Sequence, residues 1–271
     1  MSELIWSCPV CGENLVNTEK LLKCSKNHCF DKARSGYVNL ISVKQKHAKI
    51  PGDNPEMIRA RRDFLSKHYY QNLRDALAGK IRAYLPENPD SVILDAGCGE
   101  GYYTSHISRF AGNCYGVDIS KSAADFAAKA DKHTHYAVGS VFHLPVQEHS
   151  CDLLLNIFAP YCHSEFLRVL KHHGLLIRII PAAKHLWEFK QAVYDKPYEN
   201  QVKDYGLEHF AFLEKTEVQN RIFLDSSEDI QNLFQMTPYA YRTGARERER
   251  LRNLEMLETQ TAFEILIYQK I

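Results

Sequence analysis

The stretch Asp95-Ala96-Gly97-Cys98-Gly99-Glu100-Gly101 decides the fold of this 271-residue chain. It follows a short apolar run, Val92–Leu94, and precedes a segment, Tyr102–Phe110, that we expect to be helical. Glycines at alternate positions let the backbone turn sharply and approach a ligand closely. A strand, a glycine-rich turn and a helix in this order are typical of the ligand-binding edge of a parallel sheet.

The order of residues within this loop favours S-adenosylmethionine over a dinucleotide. The acidic residue Asp95 leads into the glycines, placed for the amino end of a methionine moiety, with Gly97 and Gly99 leaving room for the ligand. A dinucleotide site would instead read Gly-x-Gly-x-x-Gly. Asp118 ends the next strand, where its carboxylate can accept both ribose hydroxyls. Nicotinamide enzymes share that second feature, so only the loop discriminates between the two cofactors.

Strands and helices alternate on both sides of this loop from Ser91 onward. This pattern predicts an α/β fold: a Rossmann-like class I methyltransferase with a parallel-dominated seven-stranded sheet and helices on both faces. The predicted strands are Val92–Leu94, Cys114–Val117, His135–Val138, Leu153–Phe158, Leu175–Ile180, Gln219–Leu224 and Ala262–Tyr268. The predicted helices are Tyr102–Phe110, Ser122–Lys132, His163–Leu170, Lys184–Tyr194 and Ser227–Met236.

Four metal-ligating residues precede this core as two close pairs, Cys8-x2-Cys11 and Cys24-x3-His28. Their spacing predicts a tetrahedral zinc site in a small zinc-ribbon-like module. Cys29 competes with His28 for the fourth position, and spacing alone allows either. Four protein ligands leave no open coordination site, so we expect one structural zinc ion per chain.

The chain accordingly divides into a zinc-binding module (1–40), a basic connector with two helices (41–90) and the methyltransferase domain (91–271). Within the connector, Asn54 is a predicted N-cap with Pro55 at the first helical position, and a second helix is predicted over Tyr69–Tyr84. The composition, 45% hydrophobic and 25% charged, is ordinary for a globular protein. No membrane span or secretory signal is recognisable, so we expect a cytoplasmic protein with reduced cysteines.

Charge is distributed unevenly along the chain. Residues 1–80 hold 14 Lys and Arg against 8 Asp and Glu, whereas the remaining residues hold 20 against 25. A basic N-terminal part is typical of a module that meets a polyanion, although a solvated surface gives the same composition. The candidate phosphate contacts are Arg34, Lys44, Lys46, Lys49, Arg61 and Arg62.

Several longer motifs resemble those of the bacterial 23S rRNA guanine-N1 methyltransferases, including the tylosin-resistance subgroup. The resemblance covers essentially the whole chain and is more specific than the glycine loop. It rests on Cys8-Pro9-x-Cys11, Gly36-Tyr37-Val38-Asn39-Leu40, Pro51-Gly52-Asp53, Arg61-Arg62-x-Phe64-Leu65, Cys98-Gly99-Glu100-Gly101-Tyr102-Tyr103-Thr104 and Gln235-Met236-Thr237-Pro238.

The resemblance implies an enzyme that methylates one of two neighbouring guanines in the helix-35 hairpin of 23S rRNA, near the macrolide site of the exit tunnel. It implies three cysteines and a histidine as zinc ligands, which favours His28, and cofactor contacts at Tyr70, Gly99, Glu100 and His185. Asn156 departs from the pattern, since relatives can carry Arg there, and this could affect substrate choice.

The role of His185 stays open at this point. It follows the fifth strand and could be a general base for the guanine N1 proton, a cofactor contact, or a helix-start residue without a chemical role. Two rival functions also stay open: a small-molecule methyltransferase whose zinc module is a lid or dimerisation element, and a zinc-ribbon RNA-binding protein without activity. The sequence does not decide whether the chain forms a homodimer or which of the two guanines it modifies.

Overall fold

The computed structural model describes residues 4–41, 52–85, 88–201 and 204–271. The N-terminal module is an antiparallel three-stranded sheet, followed by a short strand that leaves the module. The strands are β1 (Val16–Asn17), β2 (Leu21–Lys23), β3 (Cys29–Asp31) and β4 (Val38–Asn39).

Two helices lead into the core, α1 (Pro55–Ser66) and α2 (Gln71–Tyr84). Asn54 is the N-cap of α1, as predicted, and its Oδ1 accepts the backbone N–H of Met57 at 2.9 Å. Pro55 occupies the first position, where a missing N–H carries no cost. Apolar side chains at helical spacing, among them Phe64 and Leu65, are buried against the core.

The alternating region contains the five predicted strands, and its helices are shorter than predicted. Helix α6, for example, begins at Trp187 and not at Lys184, because Leu186 adopts a left-handed conformation with φ 55°. The elements are β5 (Val92–Ala96), α3 (Thr104–Ile107), β6 (Asn113–Asp118), α4 (Lys121–Ala130), β7 (His135–Val138), β8 (Cys151–Ile157), α5 (His163–Val169), β9 (Leu170–Pro181) and α6 (Trp187–Val193).

A long antiparallel pair completes the chain. The elements are β10 (Phe210–Leu224), α7 (Ser227–Gln235), α8 (Tyr239–Arg242), α9 (Ala245–Arg252) and β11 (Leu257–Lys270). Strand β10 begins nine residues earlier than predicted. Its residues 214–221 are mostly polar and partly exposed, as an edge strand allows, so they lack the apolar run by which a buried strand is recognised.

The main sheet has eight strands in the order β10-β11-β9-β8-β5-β6-β7-β4, one more than the seven predicted. The additional strand is β4, which pairs in parallel with β7 through Val38 opposite Ala137, and Leu40 N–H donates to Val138 O at 2.9 Å. This eighth strand forms because β7 would otherwise be an edge strand with unpaired backbone groups, and because Val38 and Leu40 are buried by the pairing.

The N-terminal module shares its hydrophobic core with the methyltransferase fold. Trp6 is 2% exposed and packs edge-on against Tyr115 of β6, with ring centroids 5.2 Å apart. Ser7 N–H donates to Pro145 O at 3.0 Å. The predicted boundaries at residues 40 and 90 remain a prediction. Val38 and Leu40, directly before the first of them, belong to this shared core. None of the helices in the described ranges has the length and apolar composition of a membrane span.

Strand order reverses between β5 and β8, because β6 and β7 lie on one side of β5 while β8 and β9 lie on the other. In parallel sheets, ligands bind beyond the carboxyl ends of the strands at such a point. The loops after β5, β6, β8 and β9 therefore converge on the expected cofactor edge.

Candidate active site and metal centre

The glycine loop after β5 is held in a conformation that side chains rarely adopt. Gly97, Gly99 and Gly101 have φ of 93°, 56° and 85°. A Cβ on Gly97 would lie 2.4 Å from Ala159 Cβ, and one on Gly101 would lie 2.9 Å from the Tyr136 hydroxyl. Gly99 differs, because its Cβ would meet only an Arg61 nitrogen at 3.6 Å. The space next to Gly99 is therefore open on the protein side.

Asp95 ends β5 beneath this loop, and half of its carboxylate is unsatisfied. The Thr104 hydroxyl donates to Oδ2 at 2.6 Å, whereas Oδ1 is buried with no hydrogen-bond partner among the described residues. Burial raises the pKa of Asp95 to about 7. An ammonium group next to Oδ1 would compensate for this burial. The site therefore fits the amino end of S-adenosylmethionine.

This environment predicts that cofactor affinity depends on pH. Below about pH 7 Asp95 holds a proton and cannot pair with an ammonium group, so affinity should rise several-fold between about pH 6 and pH 7.5. Calorimetric titration across that range measures the change. The variant Asp95→Asn should bind weakly with a flat pH profile. If the cofactor affinity of Asp95→Asn still depended on pH, the titrating group would be a residue other than Asp95.

Asp118, at the end of β6, supports the loop from the other side. Its Oδ2 accepts the Gly99 N–H at 2.9 Å and its Oδ1 accepts the Ser120 N–H at 2.7 Å. Burial raises the pKa of Asp118, although both N–H groups oppose that shift. Each carboxylate oxygen can accept a second hydrogen bond. The ribose-binding role that the sequence suggests remains compatible with this geometry.

Glu100 and Arg61 form a partly buried charge cluster at the loop. Arg61 donates to Asp53 Oδ2 at 2.5 Å and lies 3.8 Å from Glu100 Oε2, too far for a hydrogen bond. That Glu100 oxygen is buried and has no hydrogen-bond partner in the described part of the chain. Arg61 therefore lies at the cofactor loop and not on the predicted RNA surface, because two carboxylates already engage its charge. Glu100 keeps an acceptor available for a ligand.

Five aromatic rings line the edge between the loops after β5, β8 and β9. The Phe263 ring lies centrally, with its centroid 4.5 Å from that of His185 and 4.9 Å from that of Tyr70. Phe158 lies 5.3 Å from Phe263 and 6.5 Å from Tyr103. Tyr70 and His185, predicted from distant parts of the sequence, are thus brought together. We call these five rings the aromatic wall.

His185 is poorly suited to be a general base. Its ring is buried, its Nδ1 accepts the Ala262 N–H at 3.2 Å, and burial together with nearby Lys190 lowers its pKa to about 3. An acceptor with so low a pKa takes up a proton only weakly at neutral pH. Of the three roles left open by the sequence, the geometry favours a neutral contact in the cofactor pocket.

The predicted zinc ligands form one cluster. The ligand atoms of Cys8, Cys11, Cys24 and His28 all lie within 4.8 Å of one another. Cys11 Sγ and Cys24 Sγ are 3.7 Å apart, while His28 Nδ1 lies 3.5 Å from Cys8 Sγ and 3.3 Å from Cys24 Sγ. Two sulfurs bound to one tetrahedral zinc at about 2.3 Å would be about 3.8 Å apart. The donor set and spacing thus fit zinc.

The structure decides between His28 and Cys29. Cys29 is exposed, and its thiol donates to Asn27 O at 3.5 Å, so it faces away from the other ligands. At Cys24, burial opposes ionisation, but the His28 N–H, which donates to its Sγ at 3.3 Å, and neighbouring groups lower the thiol pKa to about 7. A thiolate is the form that binds metal.

The remaining candidate RNA contacts have mixed outcomes. Arg34 is exposed on the N-terminal module, between β3 and β4. Arg62 is half-exposed, bonded to Asp63 at 2.8 Å and stacked on Phe126 at 5.1 Å, so it is only partly available to a phosphate. The three lysines lie outside the described residues: Lys44, Lys46 and Lys49.

Sequence reasoning assigned no role to four members of this site. Thr104, which donates to Asp95, and Tyr103 lie in the predicted helix and end the motif that carries the family resemblance, but no role was predicted for either. Phe263 comes from the last strand, far from the loop in sequence. Phe158 follows β8 in the run Asn156-Ile157-Phe158-Ala159-Pro160, a position where an aromatic residue could have been singled out.

Both the N-terminal module and the core match known protein families. Residues 6–49 match the zinc-ribbon family described as "RlmA, N-terminal", and residues 94–178 match the family described as "Methyltransferase domain". Among solved structures, the YcgJ protein of Bacillus subtilis shares 16% identity with a TM-score of 0.50, covering 71% of this chain and 97% of that protein. That likeness shows the fold alone.

Relatives with assigned names match over most of the chain. A Micromonospora griseorubida protein, named as a 23S rRNA (guanine-N(1)-)-methyltransferase, is 32% identical over 94% of this chain and 93% of its own length. The Bacillus subtilis protein YxjB, named for the same activity, is 29% identical over 98% of this chain and 97% of its own length. The Streptomyces fradiae 23S rRNA (guanine(748)-N(1))-methyltransferase is 32% identical over 69% and 66%.

Proposed function

The chain belongs to the 23S rRNA (guanine-N1)-methyltransferase family, and we propose that it methylates one guanine of the helix-35 hairpin of bacterial 23S rRNA. The observation that carries this proposal is a similarity that extends through both the zinc module and the cofactor core. A small-molecule methyltransferase would need only the core. The substrate is ribosomal, so we place the enzyme in the cytoplasm.

The cofactor supplies an electrophilic methyl group on a sulfonium. Around it, Asp95 would hold the ammonium group, Asp118 the ribose hydroxyls, and the open space next to Gly99 would admit the ligand backbone. Holding both reactants in line lowers the barrier without covalent chemistry by the protein.

Guanine N1 lies on the base-pairing edge, so the base must be unpaired or extruded before it reacts. Its N–H is weakly acidic, so removal of that proton requires only modest help from a base. Buried His185 does not supply that help. The enzyme therefore acts mainly by extracting, orienting and enclosing the base.

The basic N-terminal part would hold the RNA while the core holds the base. RNA hairpins are recognised by shape, phosphate contacts and stacking. The N-terminal module is attached to the core through Trp6 and β4. Arg34 is exposed on this module, and Arg62 is exposed on α1. We propose that these two arginines, with Lys44, Lys46 and Lys49 of the connector, contact phosphates.

Mass spectrometry of 23S rRNA fragments tests the proposal. In a strain that lacks this gene, the helix-35 fragment should be one methyl group lighter at a guanine than in the parent strain. Restoring the gene should restore that mass, whereas restoring the Gly99→Asp variant should not. An unchanged helix-35 fragment together with a lighter fragment elsewhere would place the target at another guanine.

A further inference from the structure

Phe158 has a backbone conformation that its own packing does not explain. It follows β8 with φ 52°, in the left-handed region that bulky residues rarely occupy. Such strain persists where the surrounding structure imposes it, and it is concentrated at functional sites. Leu186 has a similar φ, 55°, but its side chain is fully buried, so core packing accounts for it. The Phe158 side chain is 46% exposed.

Specific contacts hold the strained turn in place. Asn156 Nδ2 donates to Ala159 O at 3.3 Å and to Pro160 O at 3.0 Å, which fixes the chain on both sides of the turn. Ala159 lies so close to Gly97 that a Cβ added to Gly97 would be 2.4 Å from the Cβ of Ala159. The turn that carries Phe158 is therefore in direct contact with the cofactor loop.

The ring of Phe158 forms the exposed end of the aromatic wall. The two rings it contacts, Tyr103 and Phe263, are 8% and 2% exposed. These buried rings support one side of Phe158 and leave part of its surface facing solvent at the carboxyl end of β8. An apolar ring held in a strained conformation at the cofactor edge is suited to stack against a flat ligand group.

We propose that Phe158 is the surface on which the target guanine stacks when it enters the active site. The inference rests on the proposed function and adds the residue that receives the base. An extruded base loses its stacking neighbours, and proteins replace them with aromatic side chains. The strain then has a reason: it directs the ring out of the core and next to the cofactor loop.

A binding cycle with modified RNA tests this contact directly. Binding of the helix-35 hairpin is measured for wild type and Phe158→Leu, each with the target guanine present and with an abasic nucleotide in its place. We expect Phe158→Leu to weaken binding of the guanine hairpin by about 5- to 100-fold. Both proteins should bind the abasic hairpin equally. An equal loss on both hairpins would overturn the stacking contact.

Stability measurements separate this role from core packing. Asn tolerates the left-handed conformation, so Phe158→Asn should melt at the same or a higher temperature than wild type while kcat/KM falls as in Phe158→Leu. Phe158→Tyr keeps the ring and should retain activity. A lower melting temperature for Phe158→Asn with unchanged kcat/KM would make Phe158 a packing residue.

The matched control is Phe223→Leu, which removes a ring that is 56% exposed on the edge strand β10. It should change neither hairpin binding nor kcat/KM. Failure of the stacking contact is distinguishable from failure of the proposed function, because an inactive wild-type enzyme would overturn the latter. Active wild type with a Phe158→Leu variant of equal kcat/KM would overturn only the former.

Discussion

Gly99→Asp is expected to abolish S-adenosylmethionine binding while the protein stays folded. The φ of Gly99, 56°, lies in the left-handed region, where Asp and Asn are the side chains best tolerated. A Cβ at this position would meet only the Arg61 nitrogen at 3.6 Å. The added carboxylate would therefore occupy ligand space rather than the core. We expect affinity to fall at least about 100-fold, equivalent to about 2.8 kcal/mol.

Gly97→Ala is the informative contrast. Its Cβ would lie 2.4 Å from Ala159 Cβ, and its φ of 93° suits glycine alone. This variant should therefore lose stability before it loses binding. Two glycines of one loop would thus separate a requirement of the fold from a requirement of the ligand.

Calorimetric titration and thermal melting measure these two effects in parallel. Gly99→Asn supplies the control for charge, because it adds the same volume without a carboxylate next to Glu100 and Asp118. If volume alone excludes the ligand, both Gly99 variants should fail to bind. A Gly99→Asp protein that binds the cofactor as well as wild type would move the site away from this loop.

The sequence predicted the parallel strands and the cofactor edge because their signals are local. The glycine loop and Asp118 each end an apolar strand, so their meeting at one edge follows from parallel pairing alone. The zinc ligands were equally predictable, since two close pairs within twenty-one residues specify their own geometry.

The features that the sequence missed depend on contacts between distant segments. Strand β4 is two residues long, and its place in the main sheet follows from burial of Val38 and Leu40 against β7 rather than from any local pattern. Arg61 was predicted to face RNA because its charge is visible in sequence, whereas its carboxylate partners Asp53 and Glu100 become neighbours only in the fold. The backbone strain at Phe158 has no counterpart in composition or periodicity.

Cys24→Ser is expected to release zinc and unfold the N-terminal module. Structural zinc sites contribute about 10–16 kcal/mol to the folding of isolated zinc-finger peptides. That is comparable with the entire stability of a small domain, about 5–15 kcal/mol. The three short strands of the module cannot replace such a contribution by their own burial. Metal analysis should give about one zinc ion per chain for wild type and almost none for the variant.

Trp6 reports whether the module stays docked. The chain contains two tryptophans, and Trp6 is 2% exposed against Tyr115. In a Trp187→Phe background, Cys24→Ser or treatment of wild type with a chelator should therefore shift the emission of Trp6 to longer wavelength. The KM for the hairpin should rise at least about tenfold as the RNA-contacting module is lost. Cofactor affinity should change little, because Asp95 and the glycine loop lie on other elements.

Cys29→Ser is the matched control for this prediction. It removes a neighbouring thiol that is exposed and faces Asn27 O instead of the metal cluster. This variant should keep its zinc, its Trp6 emission and its KM, because the four ligands remain intact. If Cys29→Ser lost its zinc while a His28→Ala variant retained it, the fourth ligand would be Cys29 and not His28. Retention of zinc and full RNA affinity by Cys24→Ser would show that the module folds without the metal.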